Sequence, residues 1–154
     1  MSVRNDVIQG IVDLMATGIA GANATGIAVQ SVTRDRVNVL SAPAGSFPLV
    51  FVRDTGVEDT IARGADGTRY RAIIECRCMV LSTDPDAAVA DLNDVVGAIK
   101  QFVETTTGWH PRCLAVGFSA VESYRLDGNF VNYQGACEAI VTLVAMYYRL
   151  TGEA

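Results

Sequence analysis

The chain has 154 residues and a mass of 16.4 kDa, with 12 Lys+Arg against 17 Asp+Glu, a net charge of −5 and a pI near 4.7. Half of it is hydrophobic and only 19% is charged, against about 25% in an ordinary soluble domain, and its mean hydropathy is +0.27. This composition excludes a disordered chain and disfavours a nucleic-acid binder acting through a basic field, because Lys100 is the only lysine; it fits one domain, residues 1–154, that hides apolar surface against other subunits.

In chain order, Val3, Val7, Ile8, Ile11, Val12, Leu14 and Met15 recur at helical spacing and predict a first helix over Val3 to Ala16. Gly18 and Gly21 are expected to end it. The stretch from Leu14 to Thr33 carries no charge, yet Gly18, Gly21, Asn23 and Gly26 make it a turn-rich connection rather than a membrane span. The short runs Ile27-Ala28-Val29 and Val37-Asn38-Val39-Leu40 read as extended pieces around Arg34-Asp35-Arg36. The first six residues lead into no apolar signal core, so assembly in a cytoplasm is expected.

After the breaker cluster Ser41 to Ser46, Phe47-Pro48-Leu49-Val50-Phe51-Val52-Arg53 is rich in strand formers, with Pro48 suited to a strand end or edge. Asp54 to Thr68 holds three glycines and mixed charge and is expected to be a long polar hairpin connection. Tyr70 to Leu81 then alternates, with Tyr70, Ala72, Ile74, Cys76, Cys78 and Val80 on one face. Arg69, Arg71, Ile73, Glu75, Arg77, Met79 and Leu81 fall on the other, a face predicted to meet water or a partner.

Ser82-Thr83-Asp84-Pro85 is a helix start, with Thr83 or Asp84 as the cap and Pro85 at the first helical position. Ala88, Val89, Leu92, Val95, Val96, Ile99, Phe102 and Val103 continue it at helical spacing until Thr105-Thr106-Thr107-Gly108. Cys113 to Tyr124 and Phe130 to Arg149 read as two strands joined through Asp127-Gly128, a hairpin-turn signal, with Gly135 expected to mark a bulge or bend. The last apolar run, Ala139 to Tyr148, is too short to span a membrane. Hairpins interrupted by helices predict an α+β fold, a mainly antiparallel sheet with two helices packed on one face.

The chemistry-bearing residues are few. His110 is the single histidine, three residues from Cys113, and a general base for that thiol is the functional reading. A loop histidine beside the packing residue Trp109 is the structural one, and it is preferred because no orienting group or oxyanion site accompanies the pair. Cys76, Cys78, Cys113 and Cys137 lack the turn-like spacing of a zinc site and are expected to be buried, free thiols. The acidic pairs Glu58-Asp59 and Asp84/Asp86 sit in a polar connection and at a helix start, and the Gly18–Gly21 and Gly64–Gly67 segments lack the strand-turn-helix setting of a phosphate loop. No catalytic residues, cofactor or metal are therefore predicted, and the protein is not expected to be an enzyme.

The order of elements resembles the tail terminator (tail completion) proteins of tailed bacteriophages. The resemblance is carried by the N-terminal helix, the Phe47–Val52 strand, the hairpin into Tyr70–Leu81, the Thr83-Asp84-Pro85-Asp86 helix start and the final strand ending Val144-Ala145-Met146-Tyr147-Tyr148-Arg149. The Gly18–Gly26 stretch is longer than the connection the family pattern implies. The resemblance implies a structural virion protein of the tail or neck, assembled in the host bacterial cytoplasm: a homo-oligomeric ring, usually of six subunits, that caps the tail tube and joins it to the head connector or stopper protein. DNA would pass through the lumen without specific binding, and no membrane is involved; an acidic, nearly lysine-free protein suits such a conduit. In a ring, the polar connection would reach a neighbour or the tube end, which makes Asp54, Glu58, Asp59, Arg63 and Asp66 candidate assembly residues. A different head-tail joining or tail tube protein would share these properties, and a small α+β enzyme or ligand-binding module would instead need a pocket converging on His110, Cys113 or the acidic segment.

Overall fold

The computed structural model describes residues 2–19, 29–34, 44–82, 84–126 and 136–154. Helix α1 spans Val3–Gly18 and opens at Ser2, whose Oγ accepts from the Asn5 N–H at 3.3 Å. This satisfies one of the amides that a helix start leaves without a partner. Val7, Ile8, Ile11, Val12 and Met15 form its buried stripe. Gly18 is the last helical residue, and its role is contact rather than backbone freedom. A Cβ there would stand 2.0 Å from Cε2 of Phe102, so the bare backbone lets α1 approach the second helix.

Strand β1 is short, Ser31–Thr33, and pairs in parallel with Leu49–Phe51 of strand β2. Of the expected piece Ile27-Ala28-Val29 only Val29 is described, and it is buried; the expected piece Val37 to Leu40 and the Gly21 helix stop lie outside the described residues. Strand β2 runs Leu49–Arg63 and strand β3 runs Gly67–Leu81. The connection expected over Asp54 to Thr68 is therefore mostly ladder: the turn is confined to residues 64–66, with the Gly64 N–H donating to Gly67 O at 2.9 Å. Both faces of this distal hairpin are exposed on β2 from Gly56 onward. A strand with no buried face needs no apolar alternation, which is why its polar sequence reads as a loop. Two register shifts, Asp54/Glu58 and Thr60/Ala62, absorb the extra residues as bulges. Gly56 takes φ +79° within the first, a conformation that costs glycine little.

Helix α2, Pro85–Thr105, starts as the sequence predicts: Asp84 is the cap, its carboxylate accepts from the Asp86 N–H at 3.0 Å, and Pro85 opens the first turn. Ala88, Leu92, Val95, Val96, Ala98, Ile99 and Val103 are buried. The loop that follows turns at Gly108 (φ +70°) and carries Trp109 back under α1, where a Cβ on Gly10 would lie 3.0 Å from Trp109 O. Trp109 meets Phe102 edge to face at 5.4 Å.

Strands β4, Cys113–Leu126, and β5, Ala136–Leu150, complete a five-stranded sheet in the order β1-β2-β3-β5-β4, antiparallel except for β1. The Asp127-Gly128 turn and Gly135 lie outside the described residues. The β3/β5 ladder runs from Gly67↔Leu150 to Leu81↔Ala136 without a register shift. Both helices cover one face, α1 against β1 and β5, α2 against β3, β4 and β5, as the α+β pattern predicts. Ile8, Ile11, Met15, Ile74, Leu92, Ile99 and Leu143 lie fully inside this layer, each contributing roughly 1.5–3 kcal/mol of burial. The opposite face differs from expectation at one end. Met79, predicted to face water or a partner, is buried with Phe47, Leu49 and Phe51, and Leu81 packs against them. This is a second, smaller core on the far side of the sheet, built where Leu49 pairs with Met79.

Candidate assembly surface

The five candidate residues separate into three groups along the distal hairpin. Asp54 and Glu58 point to the helix side, where the Nε and Nη2 atoms of Arg4 grip both carboxylate oxygens of Asp54 and Nη1 reaches Glu58. The Gly56 N–H adds a bond to Asp54 at 2.9 Å, and the Tyr147 hydroxyl donates to Glu58 at 2.7 Å. The Arg4 hydrogen bonds hold the Asp54 carboxyl below its usual range against a burial effect that works the other way, and Asp54 in turn holds the guanidinium charged. Burial pushes the Tyr147 hydroxyl up, reinforced by the Glu58 carboxylate that accepts from it. These two acids thus fasten the first bulge of β2 to the start of α1 and to β5.

Asp59 lies on the opposite face in an exposed ion pair with Arg71 at 3.0 Å. Arg63 precedes the turn and Asp66 is its last residue, and Asp66 O accepts from the Thr151 N–H at 3.0 Å. The set therefore does not converge on one point. The sequence missed the partners Arg4 and Tyr147, because they stand 54 and 89 residues from Glu58 and no local pattern marks such a contact.

A different feature gathers at this end. Val57, Ile61, Leu114, Met146 and Leu150 are the large hydrophobic side chains exposed among the described residues, at 38–55% of their surface. All belong to the turn half of the sheet: β3 runs out there to Gly67 opposite Leu150, Arg71 pairs with Met146, and Met146 pairs with Ala115 next to Leu114. A groove of about 390 Å³ lies at the same end, lined by the hairpin tip from Ala62 to Arg69 and by Leu114, Tyr148 and Leu150, so that two of the five side chains border it.

The residues considered for catalysis are arranged for structure. The His110 Nδ1 accepts from the Arg112 N–H at 3.0 Å, and His110 O accepts from the Cys113 N–H at 2.9 Å. The Cys113 thiol leans on Ala115 O at 3.7 Å, and burial pushes it up to about 11, the reverse of the lowered value a nucleophilic thiol requires. Cys76, Cys78 and Cys137 form no disulfide and are buried on the helix side of the sheet, with burial raising Cys76 to about 12. Among the described residues no group of His, Cys, Asp and Glu is placed to hold a metal ion, and no helix is long and apolar enough to cross a membrane.

Most of the arginines that the structure describes are engaged. Arg4, Arg53, Arg71, Arg77 and Arg112 each pair with a carboxylate, while Arg149 donates to the Tyr70 hydroxyl at 2.9 Å.

No protein-family model and no curated protein matches the chain. Among solved structures it is similar to a chain of the virion of a native gene transfer agent particle, at 13% identity over 96% of each chain and with a TM-score of 0.49.

Proposed function

We propose that the protein is a structural virion subunit of the tail terminator type. It forms a homo-oligomeric ring, of six copies in the family it resembles, that caps the tail tube and meets the head connector, with DNA sliding through the lumen. The observation that carries this reading is the gathering of Val57, Ile61, Leu114, Met146 and Leu150 at one end of the sheet, an apolar surface in a chain of low charge. The element order from the N-terminal helix to the Tyr147-Tyr148-Arg149 strand end supports the tail terminator form of the reading. So does the pairing of Arg4, Arg53, Arg71, Arg77 and Arg112 with carboxylates, which offsets charge that would otherwise grip passing phosphates. The helix-side cluster of Asp54, Glu58, Arg4 and Tyr147 keeps the distal hairpin in place for assembly.

Negative-stain imaging of the purified protein, alone and with tail tubes, tests the proposal. Rings with a central hole of DNA width, or caps at one tube end, are expected. A protein that stays monomeric at high concentration and leaves tube ends bare would overturn it.

A further inference from the structure

The groove at the turn end is lined by the apolar Leu114, Tyr148 and Leu150 and by a hairpin tip that carries Arg63 and Arg69 with Asp66 between them in sequence, a net positive charge. Neither arginine has an ion-pair partner among the described residues, in contrast to Arg53, Arg71 and Arg77 further along the same strands. The counterpart lies at the other end of the molecule. No Lys or Arg occurs between Arg77 and Lys100, whereas Asp84, Asp86, Asp91 and Asp94 fall in that interval. The solvent side of the first turns of α2 presents Asp86, Ala87 and Ala90, with Asp91 half-buried beside them. Residues 86 and 90, and likewise 87 and 91, are one turn apart and lie side by side, so the stripe combines two carboxylates with two methyl-sized side chains that allow close approach.

These two surfaces cannot meet within one chain. β3 carries the backbone from the turn at Gly67 to Leu81, a span of about 46 Å, and α2 begins only at Pro85 beyond it. A contact between a surface at one end and a different surface at the other is heterologous, and repeated by rotation it closes a ring. We infer that the groove between the hairpin tip and Leu114 receives the first half of α2 from a second copy of this chain, Ala87 and Ala90 lying on Leu114 and Leu150 while Asp86 and Asp91 face Arg63 and Arg69. This rests on the ring reading above and names the two surfaces that build the ring. The burial of small apolar side chains supplies contact area, and the charges set the register and reject a groove-to-groove pairing.

The test uses two full-length variants, R63E/R69E and D86R/D91R, followed by light scattering and by imaging. Arg63, Arg69 and Asp86 are exposed and Asp91 is half-buried, and the near-ultraviolet circular dichroism of each variant serves as the folding check. Each variant alone places like charges across the contact and is expected to need about tenfold or more protein to assemble. Mixed in equal amounts they present a Glu-lipped groove to an Arg-bearing helix and the native groove to the native helix in alternation, so rings are expected to return. The four-fold variant R63E/R69E/D86R/D91R should also assemble. If wild-type rings form and the variants assemble equally well, or if neither mixing nor the four-fold variant restores what the pairs lose, the docking is wrong while the ring reading stands. If the wild-type chain forms no ring under any condition, alone or on tubes, the ring reading itself fails and the docking with it.

Discussion

The hydroxyl of Tyr147 donates to Glu58 at 2.7 Å across 89 residues of chain, and the same carboxylate takes a second bond from Arg4. One guanidinium near the start of α1 thereby holds two carboxylates of β2 beside a buried phenol of β5. Replacing Arg4 by Met keeps much of the side chain's length and leaves Asp54 and Glu58 facing each other. The expected loss is about 1–3 kcal/mol in urea unfolding, because partly buried acceptors lose their donor. Glu58→Gln, which can still accept from Tyr147, should cost less.

The same cluster sets a pH dependence. Asp54 is held below the ordinary carboxylate value of 3.8 by Arg4, so the folded state binds its proton more weakly than the unfolded chain does. Its stabilisation is present in full above the unfolded value and is lost as pH falls through the lower, folded one. The stability difference between wild type and Asp54→Asn should therefore be constant from pH 7 to about 5 and shrink below about 4. A difference that grows on acidification would contradict the role assigned to Arg4.

Gly18→Ala isolates the packing of the two helices. Alanine is favoured over glycine inside a helix by about 1 kcal/mol, but its Cβ would lie 2.0 Å from the Phe102 ring. That ring is braced edge to face by Trp109, so moving it aside also disturbs the tryptophan contact. A net destabilisation of about 1–3 kcal/mol is expected. Combining it with Phe102→Leu should cost less than the sum of the two changes, and a double-mutant cycle reads this directly.

Thiol labelling separates the cysteines by burial. Four thiols should titrate in denaturant without reductant. In the folded protein Cys113, half-buried and raised to about 11, reacts first and slowly, and Cys76, raised to about 12 inside the core, reacts only on unfolding. Rapid labelling of Cys113 at neutral pH would reopen a catalytic reading of its neighbourhood.

The apolar end predicts a split between folding and assembly. Ile61→Lys and Leu114→Lys replace exposed side chains, so each should alter unfolding free energy by no more than about 0.5 kcal/mol. Each is nevertheless expected to abolish rings in light scattering. Equal assembly by both variants would remove these side chains from the contact.

Where a segment buries one face, its sequence announced it. The alternation of Tyr70 to Val80 and the Asp84-Pro85 helix start survive in the structure because half-buried strands and capped helices imprint a period and a stop on local composition. The distal half of the β2/β3 hairpin did not show itself, since residues such as Asp59, Thr60 and Arg63 face water on a ladder held by backbone bonds. Met79 misled for a related reason: alternation assigns a side, but whether Phe47, Leu49 and Phe51 gather on that side depends on pairing across a hairpin. The long-range ties of Arg4 and Tyr147 leave no local trace, nor does the convergence of Leu114 with Leu150, which rests on strand order.

The unbroken β3/β5 ladder differs from its neighbours, since both β2/β3 and β4/β5 contain register shifts. Its hydrogen bonds lie across the strands, so a pull directed along them strains every rung at once, whereas a bulged ladder opens from its irregular point. The centre of the sheet is thus a stiff beam between two compliant margins. Tension running lengthwise through the subunit would be carried by this pair, and resistance to pulling in a force spectrometer should depend on whether the handles load the rungs together or peel them one by one.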